Sequence, residues 1–233
     1  MDSIKNRILF EDNHLIVINK NVKELVQSDI TNDITLAEKV KDYLKKTYNK
    51  QGNVFLGIPH RLDRPTSGIV IYTKTDKALS RMCNAFRENT VKKTYWAIVD
   101  AAPDQKEATI THYLTRDTTK NKSFATLEKK KNSKIAKLSY KLIGASKSFY
   151  LLEIDLHTGR HHQIRAQLAA MNIHIRGDLK YGFPRSNKDG GISLHAREVE
   201  FMHPVKKEKI KIVAPPPKEV VWDYFVNSIT DLT

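Results

Sequence analysis

Short strand-like runs of β-branched and aromatic residues recur along this chain, and only a few helical repeats come between them. Residues 8–18 (ILFEDNHLIVI) read as two strands about a polar turn, and Ile69 to Tyr72 form a compact apolar strand. Strand patterns return at 94–99, 109–114, 138–143 and 149–156, and once more in ISLHAREVEFMH after a Gly-rich loop at 189–191. Helical spacing is found in Leu36, Val40, Tyr43 and Leu44 after a Thr35 cap, and in Leu79, Met82, Cys83 and Phe86 after an Asp76 cap. Ile164, Leu168 and Met171 mark a third helix after a turn at Gly159, and a short fourth lies near Trp222 and Phe225, beyond Pro215 to Pro217. This succession predicts an α+β fold with a mainly antiparallel sheet, and not a doubly wound parallel one. No repeat and no linker interrupts it. Residues 1–233 are therefore expected to form one domain, long enough to bury a core without disulfides or metals.

Charge narrows the choice of partner. Forty Lys and Arg against 26 Asp and Glu leave a net +14, an excess that favours a polyanion because each neutralised phosphate releases counterions. A basic protein with no nucleic-acid role fits the same composition. An acidic membrane surface is disfavoured, since neither a basic amphipathic helix nor a lipidation signal is present. The first residues carry acids and no long apolar run, so neither a signal peptide nor a membrane span is expected. Cys83 is the lone cysteine. It cannot form an internal bridge, and no Cys and His cluster has zinc spacing, which suits a cytoplasmic protein without structural metal. By its place on a helix face Cys83 reads as core filling. The stretch Lys129 to Lys137 reads as a solvated loop or hairpin end, with contact to an RNA backbone as the alternative.

Two clusters carry chemistry. In His60-Arg61-Leu62-Asp63-Arg64-Pro65-Thr66-Ser67-Gly68, two arginines flank one aspartate, Pro65 and Gly68 mark a turn, and an apolar strand follows. Flanking cations favour the carboxylate form of Asp63, the form that acts as a nucleophile. The same pattern also suits a surface ion pair that holds a turn. In LHTGRHHQIR (156–165), Gly159 supplies a turn, and Arg160, His162, Gln163 and Arg165 gather at a helix start, where anions bind well. Adjacent His161 and His162 lack the i, i+3 or i, i+4 spacing that presents two ligands to one metal.

HRLDRPTSGI closely resembles the HRLDxxTSG signature of the RluA-type pseudouridine synthases. ILFEDNHLIVINK resembles that family's opening motif, and KKTYWAIV its K-x-Y-x-A-x-V strand. LHTGRHHQIRAQLAAMNIHIRGDLKYG resembles the third motif, and SLHAREVEFMHP the closing one. They stand in family order from about Ile8 to Pro204. The resemblance implies a mixed, mainly antiparallel central sheet with flanking helices and an active cleft. It also implies isomerisation of chosen uridines in RNA, with no cofactor and no metal.

On this resemblance Asp63 is the catalytic nucleophile, Tyr95 packs against the uracil, and Arg165 pairs with the catalytic aspartate. Arg61 resembles the arginine that helps extrude the target base and fills its place, an extrusion that chemistry on a stacked base requires. His60, Arg64, Arg160 and Gln163 complete the expected substrate-binding set. Tyr95, alternating with Ala97 and Val99, also suits core packing, and Arg165 also suits a helix surface. The expected partner is an rRNA or tRNA stem-loop bound by a monomer, since loop bases cost less to flip and no small RNA-binding module is expected before the first motif.

Three positions depart from the family pattern. Asn21 stands for a Pro, Gln167 for a common His, and His174 for a common Pro. They bear on substrate geometry and not on reaction class. The competing reading is a non-catalytic RNA-binding or ribosome-assembly protein of the same fold, against which intact Asp63, Tyr95 and Arg165 argue. A basic nuclease is disfavoured because no carboxylate cluster for magnesium is evident.

Overall fold

Near-continuous Ile, Val and Leu runs have no polar face to turn to water, so they become strands covered on both sides. In the computed structural model, which describes residues 3–28 and 33–230, Leu15 to Ile18 and Ile69 to Tyr72 are buried at every position. The strands are β1 (Ile8–Glu11), β2 (Leu15–Lys20), β3 (Ser67–Thr73), β4 (Lys92–Val99), β5 (Glu107–Asp117), β6 (Lys122–Thr126), β7 (Lys134–Ala145), β8 (Tyr150–Leu156), β9 (Leu194–Met202) and β10 (Lys209–Val213). The helices are α1 (Leu36–Thr47), α2 (Asp76–Arg87), α3 (Gln163–Ala170) and α4 (Val220–Thr230). This is the mixed, mainly antiparallel α+β architecture expected. By contact the chain divides into two compact units, one running up to Val91 and taking in Ala196–Pro215, the other formed by Lys92–His195 and the chain from Pro216.

In the first unit the strand order is β1-β2-β3-β9, with β10 paired to β9. Helix α1 starts where Thr35 predicts. The Thr35 hydroxyl accepts from Glu38 N–H at 3.1 Å, and the Glu38 carboxylate accepts from Thr35 N–H at 2.7 Å, a reciprocal capping box. Leu36, Val40 and Leu44 recur at helical spacing and pack on Ile16, Ile18, Val70 and Tyr72. Truncating one of them, such as Leu44, to Ala costs about 2–5 kcal/mol. Helix α2 differs from the reading above. Its cap is Thr75, whose extended backbone leaves its hydroxyl free to accept from Ala78 N–H; Asp76 lies inside the first turn, where its charge meets the positive helix end. Cys83 is half-buried and not a core residue; Ala78 and Met82 carry the buried face.

In the second unit the order is β4-β8-β7-β5-β6, antiparallel throughout. Side chains alternate across it. Ala97, Val99, Leu152 and Ile154 pack under Ile164 and Leu168 of α3, while Trp96, Ile98 and Leu151 pack under Trp222 and Phe225 of α4. Strands β6 and β10 were not expected from the sequence. Of the lysine-rich stretch, Lys129 to Lys131 lie in a loop, and Lys134 and Lys137 belong to β7. No helix among the described residues is long and apolar enough to cross a membrane.

A buried histidine closes the β9–β10 connection. His203 is fully buried, its Nδ1 accepts from Val205 and Lys206 N–H, and its Nε2 lies 3.0 Å from Asp12 Oδ2. Burial lowers its pKa below 6.5, outweighing the pull of Asp12. Below the ordinary histidine value the unfolded chain therefore takes up a proton that the folded one refuses, and stability falls as pH drops from about 6.5. His203→Asn keeps an acceptor near the Nδ1 position but cannot titrate. Urea midpoints at pH 7 and pH 5 should show a smaller acid loss for His203→Asn than for the parent chain; equal losses would remove His203 as the cause.

Candidate active site

The HRLDRPTSG stretch forms the loop that leads into β3, and both ends of it are fixed. At its C-terminal end Gly68 has φ +110°, and a Cβ there would stand 2.5 Å from the Ala196 nitrogen on β9, so only glycine fits. At its start His60 Nε2 accepts the Ile71 N–H at 2.9 Å, and the ring stacks on Phe86 with centroids 4.5 Å apart. Between them Thr66 N–H bonds to the Asp63 carbonyl at 3.1 Å, closing a turn over Arg64 and Pro65. Asp63 is half-buried and Arg61 exposed. Arg64 reaches away from the turn, donating to the Lys23 carbonyl at 3.2 Å and to Asp33 at 2.7 Å.

Under this turn lies a charge that sequence reading missed. Lys20, at the end of β2, is fully buried, and its ammonium donates to the carbonyls of Asn21 (2.9 Å) and Arg64 (3.1 Å). It thereby ties the strand end to the residue after Asp63. Burial drives the Lys20 pKa down to about 7, against the attraction of Glu24 and Asp63. Glu24 in turn is gripped by Arg7 at 2.6 Å and Lys39 at 2.8 Å. Burial opposes its charge, but these two cations hold its pKa below the ordinary value. Asn21, where the family pattern has Pro, supplies one of the Lys20 carbonyls and donates its N–H to Glu24. The only sequence signal for Lys20 was a cation closing a strand that opens on four apolar residues.

In the second unit the LHTGRHHQIR stretch is held against β7. Gln163 is buried; its amide oxygen accepts from Thr158 Oγ1 (2.8 Å) and Arg160 N–H (3.0 Å), and its amide nitrogen donates to the Lys137 carbonyl (3.1 Å). Arg160, exposed, donates through Nε to the Ile135 carbonyl. Gln163 thus shapes the turn from within, while Arg160 stands at its surface. His162 precedes α3 in the left-handed region, φ +53°, without a side-chain cap.

Arg165 is buried, not a helix-surface residue. Its Nε and Nη2 donate to the two oxygens of Asp178 at 2.7 and 2.8 Å, and its guanidinium lies 4.9 Å from the Tyr181 ring centroid. Asp178 was not singled out in the sequence, although it is the acid of the Gly-Asp pair within the third motif. Tyr95, half-buried on β4, packs against the cluster that contains Ile164 and Leu168. Gln167, which replaces a common His, is fully buried and donates to the Ala136 carbonyl. His174, which replaces a common Pro, clips to Asp100 through both its N–H and its ring. Among the described residues no three His, Cys, Asp or Glu side chains gather as a metal group.

A family model described as RNA pseudouridylate synthase matches residues 14–170. The chain belongs to the RNA pseudouridylate synthase family. Among curated relatives it is 32% identical over 218 residues to ribosomal large subunit pseudouridine synthase C of Buchnera aphidicola, covering 90% of this chain and 67% of that one. It is 36% identical over 168 residues to an uncharacterized RNA pseudouridine synthase of Mycobacterium bovis, covering 70% of this chain and 54% of that one. The chain thus spans between about half and two thirds of the length of these relatives. Two human structures share the fold. RNA pseudouridylate synthase domain containing 4 has a TM-score of 0.78 at 21% identity over 97% of this chain and 94% of that one. Domain containing 1 has a TM-score of 0.76 at 22% identity over 97% and 89%.

Both buried charges make testable statements about this family member. Between about 7 and the ordinary lysine value, the unfolded chain binds a proton at residue 20 that the folded chain does not, so stability rises with pH across that window. Urea midpoints at pH 7 and pH 9 should rise less for Lys20→Met than for the parent chain; identical slopes would contradict burial of this ammonium. Asp178→Asn keeps the shape of its side chain but strips Arg165 of its counter-charge. We expect a loss of about 3–5 kcal/mol, read as a melting temperature lower by roughly 10 °C; an unchanged melting curve would contradict it.

Proposed function

We propose that this chain converts selected uridines of structured RNA to pseudouridine, acting through residues 1–233 as one catalytic domain. The observation that carries the reading is the Asp63 turn: a half-buried aspartate in the family's signature position, closed by Thr66 and backed by the buried Lys20 ammonium. Family membership supports it, because Asp63 of the signature, Tyr95 of the tyrosine strand and Arg165 of the third motif are all present.

The reaction is an isomerisation. The bond from ribose C1′ to uracil N1 breaks, the uracil turns, C1′ bonds to C5, and the C5 proton leaves while N1 gains one. No electron pair enters or leaves overall, so the residues named here suffice without an oxidant or a hydrolytic water. Asp63 acts as an ionised carboxylate, attacking C1′ as a retaining glycosidase carboxylate does, adding to the ring, or removing a ribose proton to give a glycal. Arg61, exposed beside it, fills the space of the extruded base. Tyr95 packs against the uracil, and Arg165 supplies the counter-charge that a partly desolvated carboxylate needs. Arg160, Arg64 and His60 complete the substrate-binding set, and Gln163 acts by holding the turn that carries Arg160.

The substrate is an rRNA or tRNA stem-loop, the enzyme works as a monomer in the cytoplasm, and no cofactor takes part. A loop base is already unstacked and costs less to flip than one in a duplex. Uridine tritiated at C5 within a short hairpin should release its label with the parent chain and not with Asp63→Asn, which keeps size but loses the charge. Substantial release by Asp63→Asn would overturn the assignment, and equal release from the same sequence unfolded would overturn the preference for a loop.

A further inference from the structure

The net charge of this chain is unevenly spread. Seven lysines and one glutamate lie between Thr118 and Lys137, so these twenty residues hold +6 of the total +14. They comprise the turn after β5, the edge strand β6, and the loop that carries the chain from one flank of β5 to the other before β7. Lysines at and beside the edge strand resist its pairing with another strand, but that does not account for the apolar groups among them. Phe124 is 45% exposed, Ile135 53% and Leu127 79%.

Register places Phe124 and Ile135 on one face. Phe124 stands opposite Thr115, Tyr113 lies between Thr126 and Ile135, and Thr111 faces Lys137. Directly opposed residues of antiparallel strands point the same way. The alternate residues Ser123 and Ala136 are buried toward α3, so Phe124, Tyr113, Ile135 and Lys137 share the opposite face. Helix α4 covers that face only farther along, over Trp96, Ile98 and Leu151. Between α4 and the arm, Glu107, Glu153 and Asp155 line a groove with Lys141, so acids outnumber the one lysine there. An anion is therefore favoured on the lysine arm over this groove.

The arm is joined to the functional side of this unit through one ring. Lys122 Nζ lies 4.9 Å from the centroid of Tyr181, the same ring that Arg165 approaches at 4.9 Å, and it lies 5.6 Å from the centroid of Phe124. Tyr181 also accepts the Ser123 N–H at 2.9 Å and donates to the Ser123 carbonyl at 3.1 Å, so β6 is fastened at this point. Lysines beside an exposed aromatic on an open strand face form the combination that binds single-stranded nucleic acid, cations to phosphates and ring to base.

We propose that the segment Thr118–Lys137 is a second RNA-binding surface, which holds the single-stranded nucleotides flanking the modified uridine. Lys129, Lys130 and Lys131 of the loop and Lys137 of the Phe124 face take the phosphates, and Phe124 stacks one unpaired base. This rests on RNA being the substrate. It adds that affinity for the flank is separable from the chemistry at Asp63.

The test uses the full chain, with Phe124→Ala, Phe124→Leu and a triple Lys129→Gln, Lys130→Gln, Lys131→Gln variant. Each is compared on a hairpin with single-stranded flanks and on the same hairpin without them, at several salt concentrations. On the flanked RNA, Phe124→Ala should weaken binding roughly 5- to 150-fold, the range for one stacked base, and Phe124→Leu, which keeps apolar bulk but no ring, should weaken it nearly as much. The triple variant should lower the salt slope by about 2, at roughly 0.7 per single-strand phosphate contact. On the trimmed hairpin all variants should bind like the parent chain, and single-turnover rates at saturating RNA should be unchanged on both. Unaltered affinity and slope on the flanked RNA would overturn the proposal, as would equal losses on the trimmed hairpin or a fall in saturated rate without a loss of affinity. A protein partner on this face would give the first of those results. If the parent chain binds and isomerises the RNA while the variants match it, only this inference fails. If the parent chain does not bind RNA, the functional reading fails with it.

Discussion

An ammonium buried beneath a loop is costly unless its hydrogen bonds are met, and the first unit is arranged around meeting them. Lys20 ends a strand that opens on four apolar residues, and the strand carries it under the turn at Asp63, where the Arg64 and Asn21 carbonyls receive it. Glu24 offsets its charge and is itself held by Arg7 and Lys39. The result is a chain of alternating charges running from the N-terminal segment to the signature loop. Removing Glu24 would leave Arg7 and Lys20 short of a counter-charge, and such a vacancy costs more than the pair contributes over an apolar replacement. The arrangement therefore fixes geometry more than it adds stability.

The second unit solves a similar problem with a guanidinium. Arg165 cannot reach solvent from its place on α3, and Asp178 meets its planar fork with both oxygens. Tyr181 packs on the same group and fastens β6. Gln163 staples the preceding turn to β7, which leaves Arg160 outermost. In both units the motif residues that sequence reading assigned to chemistry or substrate rest on polar groups that no pattern rule picked out.

That division marks what was legible in the sequence. Thr35 announced α1 because a cap is local, and the structure adds Glu38, three residues on, as the other half of a capping box. The strands at β2 and β3 were legible because runs of β-branched residues have few other uses. Strand β6 was not, since KSFAT (122–126) is polar and borrows its stability from β5 and α3; β10, with Ile210 and Ile212 between lysines, did show period-two alternation and was overlooked. Thr75 and Asp76 are both good caps, and only the backbone angles of the folded chain chose between them. Lys20 and Asp178 were missed for one reason. A charged residue in sequence reads as surface until its partners, 44 and 13 residues away, are known. Gln163 read as one of the substrate-binding residues at a helix start, and the structure adds that its amide is engaged by Thr158, Arg160 and Lys137.

The fold, the family and the signature loop support the proposed isomerisation of uridine in RNA. The most direct measurement is a map of pseudouridine in the cellular RNA of the source organism, made with the gene present, deleted and restored. The account predicts that one or a few defined uridines lose the modification on deletion and regain it on restoration. A map that is identical in all three would contradict it.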